Sequence, residues 1–443
     1  MKLTEDLLHF IWRYQLFKGP LYEVVSGKCI RIQHPGHANQ QAGPDFLVAS
    51  LHIGTIDWVG HVEIHIQSSD WCAHGHQQDR AYDNVILHVV WNDNKEVRYA
   101  NGLLIPTLAL QPYVDAQLLA RYEQLQGLQQ WIPCEKIVNS AVIHSRIGFL
   151  TGLAYERLLE KAEFLTKLLQ QYQGDWEKVF FICLARSFGF QVNTEAFETL
   201  AHAISIPLLA KYRFDHLKID ALFFGQSGML EGLEKEGADP YIYAIATEYA
   251  YLKKLHKLKE MPAHSWRFLR MRPFNFPSFR LAQLAGIYKE QQGIFSKLIQ
   301  VQQVEHTAQQ LLSILYGILL PRNIADFWKF HFTFVKKAKV AHRVDLTTNS
   351  QRHLLINVVV PLTFTYGRVF NLPAYCEAAL SLLDYLPAEK NKVTRAYLAV
   401  GFPCEFALES QALLYLKQQY CDKKRCLHCQ IGFELLKTKR HGT

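Results

Sequence analysis

The apolar residues of this chain change their period once, and that change limits the fold more than any other feature. Between residues 46 and 91 they alternate or form short continuous runs; between residues 154 and 386 they recur every three or four positions. A two-residue period puts successive side chains on opposite faces of a strand, whereas a 3.6-residue period lines them along one side of a helix. Segregated periods of this kind describe an α+β chain: an N-terminal mixed-sheet α/β domain followed by a large all-α domain. At 443 residues the chain is long enough for two or three cores. The expected division is an α/β domain over 1–120, a helical domain with a basic surface over 121–400, and a metal-binding tail over 401–443 packed on the helical domain.

In the first part, Thr4 is placed to cap a helix whose apolar positions are Leu7, Leu8, Ile11, Trp12, Leu16 and Phe17. Strand patterns follow at 29–33, 46–53, 58–66, 85–91 and 103–110, with a short helical or loop insert near 76–83. Beyond a Gln-rich connector at 123–130, helical spacing covers 154–171, 176–188, 194–204, 238–258, 279–288, 307–316, 324–337, 352–366 and 373–386. Gly174, Gly189, Gly225, Gly228, Pro262, Pro273, Pro277 and Pro321 break these stretches.

Charge is uneven. The net charge is +8, yet residues 1–110 hold 8 Lys/Arg against 11 Asp/Glu, together with nine of the twenty histidines. An acidic, His-rich head beside a basic body suits a metal or catalytic module joined to a surface for polyanions. Acidic Glu5 and Asp6 stand where a secretory signal carries basic residues, and no run of about 18 uncharged apolar residues occurs. The expectation is therefore a cytoplasmic protein with no membrane span. The nine cysteines, an odd number, argue against a disulfide framework.

The segment 58–91 gathers His61, Glu63, His65, Asp70, His74, His76, Asp79 and His88. Glu63 and His65 stand two apart on a strand and share a face, while Val62, Ile64 and Ile66 share the other. Asp45 opens the preceding strand. A carboxylate within a buried strand costs several kcal/mol unless it is paired or bound to a metal. Two carboxylates supply oxygen ligands to Mg²⁺ or Mn²⁺, and the ion lowers the pKa of a bound water. His65 beside them is suited to orient or deprotonate that water. His74, His76 and Asp79 are placed to assist, with Ser68, Ser69 and Trp71 lining the same cleft. His9 and His52 are read as background, Asp70 as a turn cap, and His88 as either a core histidine or a site residue.

The order helix–strand–strand–strand with Gly43-Pro44-Asp45 and then Glu63-Ile64-His65 resembles the PD-(D/E)xK nuclease core over roughly residues 1–110. Lysine is usual where His65 stands. That resemblance implies metal-dependent phosphodiester hydrolysis of nucleic acid, with Asp45 and Glu63 on Mg²⁺ or Mn²⁺ and Glu5 as an additional acid. The run His74-Gly75-His76-Gln77-Gln78-Asp79 is similar to the H-x-H-x-D-H loop of metallo-β-lactamase-like hydrolases but misses it by one residue. The chain also resembles an uncharacterised bacterial family known only as a domain of unknown function. Gly43-Pro44-Asp45-Phe46, Val62-Glu63-Ile64-His65, Ser68-Ser69-Asp70-Trp71, Asp83-Asn84-Val85-Ile86-Leu87-His88-Val89 and Cys426-Leu427-His428-Cys429 carry this likeness, which implies an architecture but no activity.

Near the end of the chain, Cys404, Cys421, Cys426 and Cys429 form C-x16-C-x4-C-x2-C. Four thiolates close a tetrahedral Zn²⁺ site, and a [4Fe–4S] cluster is the alternative; His428 is a substitute for Cys404. Lys423, Lys424 and Arg425 favour thiolate formation. Residues 253–280 interleave Lys253, Lys254, Lys257, Lys259, Arg267, Arg270, Arg272 and Arg280 with Trp266, Phe268, Phe274 and Phe276, a pattern suited to phosphates and unpaired bases. Lys336, Lys337, Lys339 and Arg343 form a weaker basic patch. The function expected is a metal-dependent nuclease. The alternatives are a non-catalytic nucleic-acid-binding protein of the same fold and a His-cluster metallohydrolase of a small molecule.

Overall fold

The computed structural model describes residues 3–127, 130–144, 147–233, 239–304 and 306–437. They form two compact units. One comprises residues up to Phe149 with Ala396–Phe402 and the chain from Leu414; the other comprises Leu150–Arg395 and Pro403–Leu413.

The first unit is built on a seven-stranded sheet. Its strands are β1 (Leu21–Tyr22), β2 (Cys29–His34), β3 (His37–Ala38), β4 (Phe46–Ile53), β5 (Ile56–Gln67), β6 (Val85–Asn92) and β7 (Thr107–Ala109). The order is β1-β2-β4-β5-β6-β7, with β3 beside β4. Strands β2, β4 and β5 run antiparallel, and Gly54 at φ +65 lies in the turn from β4 to β5. Strand β6 runs parallel to β5, and β7 parallel to β6. A parallel pair needs a crossover, and the insert between β5 and β6 supplies it.

Helix α1 (Glu5–Arg13) begins at Thr4, whose hydroxyl accepts from the Leu7 N–H. It buries Leu7, Leu8, Ile11 and Trp12 in a core with Val62, Ile64, Leu87 and Val89. The tail closes the same core: Leu427, Phe433 and Leu436 pack into it, and the Arg121 side chain donates to the Leu436 carbonyl at 3.0 Å. Of the tail expected on the helical domain, the chain from Leu414 belongs to this unit and Pro403–Leu413 to the helical one. The tail's amphipathic helix Gln430–Lys437 buries its apolar side in the sheet unit, and that unit runs to Phe149 rather than ending at residue 120.

Glycine is required at one position in the sheet. A Cβ on Gly60 would lie 2.4 Å from Ile86 Cγ2 and 2.6 Å from the Asn84 carbonyl oxygen. The close approach lets His61 N–H donate to Asn84 at 2.8 Å, which sets where β6 begins beside β5.

The second unit is helical. Trp176–Phe188 and Pro373–Tyr385 fall where the spacing predicts helices, and every residue of Pro277–Tyr288 is buried. The helix expected from residue 352 begins at Thr348 and passes through a π-helical stretch, Leu355–Val359, before Pro361. Proline has no N–H to continue the regular ladder, and a π turn absorbs the mismatch. The helix expected over 324–337 does not form. Only a 3₁₀ turn, Asp326–Lys329, appears there, followed by an antiparallel bridge between His331 and Lys337. That stretch is rich in aromatic and β-branched residues, which lose rotamer freedom in a helix; Trp328 and Phe334 pack on Phe224 instead. The expected helical start at residue 238 lies outside the described residues.

Gly60→Ala should destabilise the sheet unit by about 1–3 kcal/mol, the usual cost of overpacking. Denaturant unfolding measures this, and wild-type stability in the variant would contradict the β5–β6 approach described above.

Candidate functional site

The site is organised by a bulge at the start of β4. Pairing with β5 shifts register between Phe46 and Ala49, and Val48 adopts φ +55. That conformation is costly for a β-branched residue. Val48 is exposed, and its N–H donates to His61 Nδ1 at 3.3 Å. Bulges re-aim neighbouring side chains, and here the neighbour is Asp45. Its backbone N–H donates to Glu63 Oε2 at 3.1 Å, and its own Oδ2 accepts from the Ile64 N–H at 2.9 Å. Each carboxylate is thereby held by the backbone of the other's strand.

Parallel pairing sets Glu63 against His88 and His65 against Val90. The insert folds over this face of the sheet. A short helix, α2 (Asp70–Ala73), places Trp71 in a second apolar cluster with Val85, Val97 and Ile105. Gly75 at φ +77 then turns the chain between His74 and His76. The His76 ring stacks on Tyr82 with centroids 3.8 Å apart and meets Trp71 edge-on.

The donor atoms of His65, His74 and His76 lie within 4.8 Å of one another. His65 Nε2 is 3.1 Å from His74 Nδ1, and His65 Nδ1 is 2.8 Å from His88 Nε2. Glu63 Oε1 lies 3.2 Å from His76 Nε2 and 3.6 Å from His65 Nε2. His76 Nε2 is buried and makes no hydrogen bond despite that proximity. That leaves the nitrogen unpaired beside the Glu63 carboxylate. On α1, His9 Nε2 lies 3.3 Å from Asp45 Oδ2, and Glu5, one turn earlier, is within electrostatic reach of both His9 and Asp45.

The electrostatics are those of crowded carboxylates and buried imidazoles. Burial, reinforced by the charges of Asp45 and Glu5, pushes Glu63 up to about 8. Burial and then Asp45 raise Glu5. Burial and the neighbouring His76 and His74 push His65 down to about 4, and burial holds His88 well below its ordinary value. At neutral pH, His65 and His88 are therefore neutral imidazoles, the form that ligates metals.

The structure brings together Asp45, Glu63, His65, His74 and His76. Asp79 stands apart in role: it is exposed, and its carboxylate accepts from the Ala81 N–H at 2.9 Å to cap the turn Arg80–Tyr82. Ser68 is fully buried and accepts from the Asn94 and Lys95 N–H groups, so it fastens a turn rather than lining a cleft. His52 pairs with Asp57 across the β4–β5 hairpin. His9, read as background, belongs to the site on Asp45, and His88, left open between core and site, stands behind His65. The four-residue spacing of Glu5 and His9, which stacks them on one helix face, is the signal that could have found His9.

In the helical unit, the basic stretch separates into core and surface. Arg280 and Trp266 are buried; Arg280 donates to Asn275 and Gln283, and Trp266 to the Ser227 carbonyl. Lys253, Lys254, Lys257 and Lys259 line an open groove of about 830 Å³, with Glu260 paired to Lys253 at 2.5 Å.

A family model described as a protein of unknown function (DUF2851) matches residues 5–392, and the chain belongs to that family. The matched span covers nearly the whole chain, in keeping with the resemblance read from the sequence. No curated protein and no solved structure matches the chain.

In chelator-treated protein, Glu63 ionises in the unfolded chain from about pH 4.5 but in the folded chain only near pH 8. Its contribution to stability therefore falls as pH rises through that window. Glu63→Gln should gain stability relative to the wild type between about pH 5 and about pH 8. Thermal unfolding at the two values checks this, and a difference that does not change with pH would exclude a proton-holding Glu63.

Proposed function

We propose that this member of the family is a metal-dependent phosphodiester hydrolase acting on nucleic acid. The observation that carries the reading is the convergence of His65, His74 and His76 donor atoms within 4.8 Å beside Glu63, itself locked to Asp45 across two strands. Asp45 at the start of one strand and Glu63 within the next, after a leading helix, keep the order expected of a PD-(D/E)xK core. Three imidazoles in place of a lysine alter the donor set. Imidazole suits Mn²⁺ and Zn²⁺ better than Mg²⁺, which prefers oxygen and keeps its waters. A divalent ion here supplies an acidified water and neutralises charge on the scissile phosphate.

The chain's own groups divide the remaining work. Asp45 and Glu63 present oxygens, while His74 and His76 present ring nitrogens. His65 is held by His88 on its far side, which fixes the ring's orientation. His9, on Asp45, is positioned to take the proton from an attacking water or to return one to the leaving oxygen. The lysine-lined groove of the helical unit offers cationic groups for a polyanion.

A second reading, a binding protein without turnover, draws on one observation. Neither lysine nor arginine is among the charges that shift Glu63, His65 or His76. The histidine trio likewise fits a small-molecule metallohydrolase.

Chelator-treated protein reloaded with Mn²⁺ or Zn²⁺ should cleave labelled single-stranded or duplex DNA or RNA. Glu63→Ala should lower that rate by about 100-fold or more while the protein still folds. Metal and nucleic acid binding without cleavage selects the binding protein, and undiminished cleavage by Glu63→Ala overturns the assignment. Replacing Lys253, Lys254 and Lys257 with Glu should weaken nucleic acid binding and flatten its salt dependence; unchanged affinity removes the groove from the proposal.

A further inference from the structure

The sheet unit holds a second set of metal-ligating side chains, and its membership differs from the run legible in the tail. Cys404 belongs to the helical unit, where its electrostatic neighbour is Glu409. Cys134, about 290 residues earlier in the chain than Cys421 to Cys429, belongs to the sheet unit with them.

Several independent contacts bring these four together. After α3 (Ala116–Gly127), the chain is fastened to the tail where Gln126 donates to the Lys424 carbonyl at 3.2 Å and Lys424 Nζ donates back to the Gln126 carbonyl at 2.5 Å. Cys134 follows in a tight turn, its carbonyl accepting from the N–H groups of Ile137 and Val138. Cys134 and Cys426 pack into one apolar core. The thiols of Cys421, Cys426 and Cys429 all lie within electrostatic reach of Cys134. Cys421 Sγ accepts from the hydroxyl of fully buried Tyr397 at 3.1 Å.

The C-x2-C turn is shaped for a thiolate. Cys429 N–H donates to the Cys426 carbonyl, and the N–H groups of Ile431 and Gly432 point to the Cys429 sulfur. Backbone donors of this kind hold metal-bound sulfur in place. The tail helix sits so close that a Cβ on Gly432 would lie 2.1 Å from the Cys426 carbonyl oxygen.

We propose that Cys134, Cys421, Cys426 and Cys429 together hold a thiolate-bound metal centre that staples the tail to the segment after α3. Burial pushes all four thiols above their ordinary value. Without a cation, each is a protonated buried thiol; binding of a metal releases those protons to solvent. Four thiolates close a tetrahedral Zn²⁺ site, and an iron–sulfur cluster takes the same four ligands.

The test uses the full chain in a His65→Ala/His76→Ala background, so that the imidazole site contributes no metal. Protein purified without oxygen should contain either stoichiometric zinc or iron with acid-labile sulfide. Cys134→Ser should lose that metal, while Cys404→Ser should keep it at the parent level. Full metal content in Cys134→Ser, or its loss in Cys404→Ser, would overturn the proposed ligand set. If Cys134→Ser fails to fold, X-ray absorption at the metal edge decides without it: an all-sulfur shell is expected, and a nitrogen or oxygen shell, or no metal, overturns the centre.

Discussion

The first unit depends on a reciprocal hold between two carboxylates. Asp45 gives its N–H to Glu63, and the N–H that follows Glu63 goes to Asp45. These bonds continue the pairing of β4 with β5 beyond the Phe46–Val62 pair, with side-chain carboxylates in place of backbone carbonyls. Charges this close repel, and burial adds to the cost. The neighbouring α1 answers part of it with His9, whereas burial holds His76 below its ordinary value, so it brings no matching charge. Neither forms a well-aligned ion pair with its carboxylate. The fold thus brings acids and imidazoles to one point, where Glu63 holds its proton to about pH 8; a cation bound there would have to displace that proton.

The helical unit solves the problem of buried charge differently. Lys289, almost fully buried, contacts Asp220 at 2.8 Å and donates to the Asn323 carbonyl, while Tyr241 donates to the same carboxylate and receives from Trp328. Every charge in that network has its partners, so it specifies packing and leaves no vacant donor. The contrast between satisfied Lys289–Asp220 and unsatisfied His76–Glu63 is why the sheet unit, and not the helical core, carries the candidate chemistry.

Much of this was legible in the sequence because periodicity survives folding. Strands 46–53 and 85–91 lie where alternation and apolar runs place them, and Glu63 and His65 share a face as period two requires. What was not legible depends on contacts between distant segments. Nothing local to His88 distinguishes a core histidine from one that steadies His65; the distinction comes from the parallel register of β5 and β6. The bulge at Val48 puts a β-branched residue where propensity would place glycine or asparagine, so no local rule anticipates it. Cys404 lies near the C-x2-C pair in sequence and Cys134 far from it, and spacing alone favours the wrong one. The segment 324–337 shows the converse failure, since its apolar spacing is helical while its aromatic composition opposes a helix.

The histidine at position 65 is where these strands of evidence meet. A lysine there would bring a permanent cation next to Glu63 and neutralise it directly. Its flexible stem would not require a partner behind it. Histidine brings no charge in this setting, because burial and two adjacent imidazoles hold it neutral. It needs His88 to orient it, and it makes room for His74 and His76 to approach within ligand distance of one another. The exchange therefore removes a cation from the protein and leaves a nitrogen-rich pocket beside two acids. On the proposed function the cation beside Asp45 and Glu63 is a bound ion, and a nitrogen-rich donor set favours one softer than Mg²⁺.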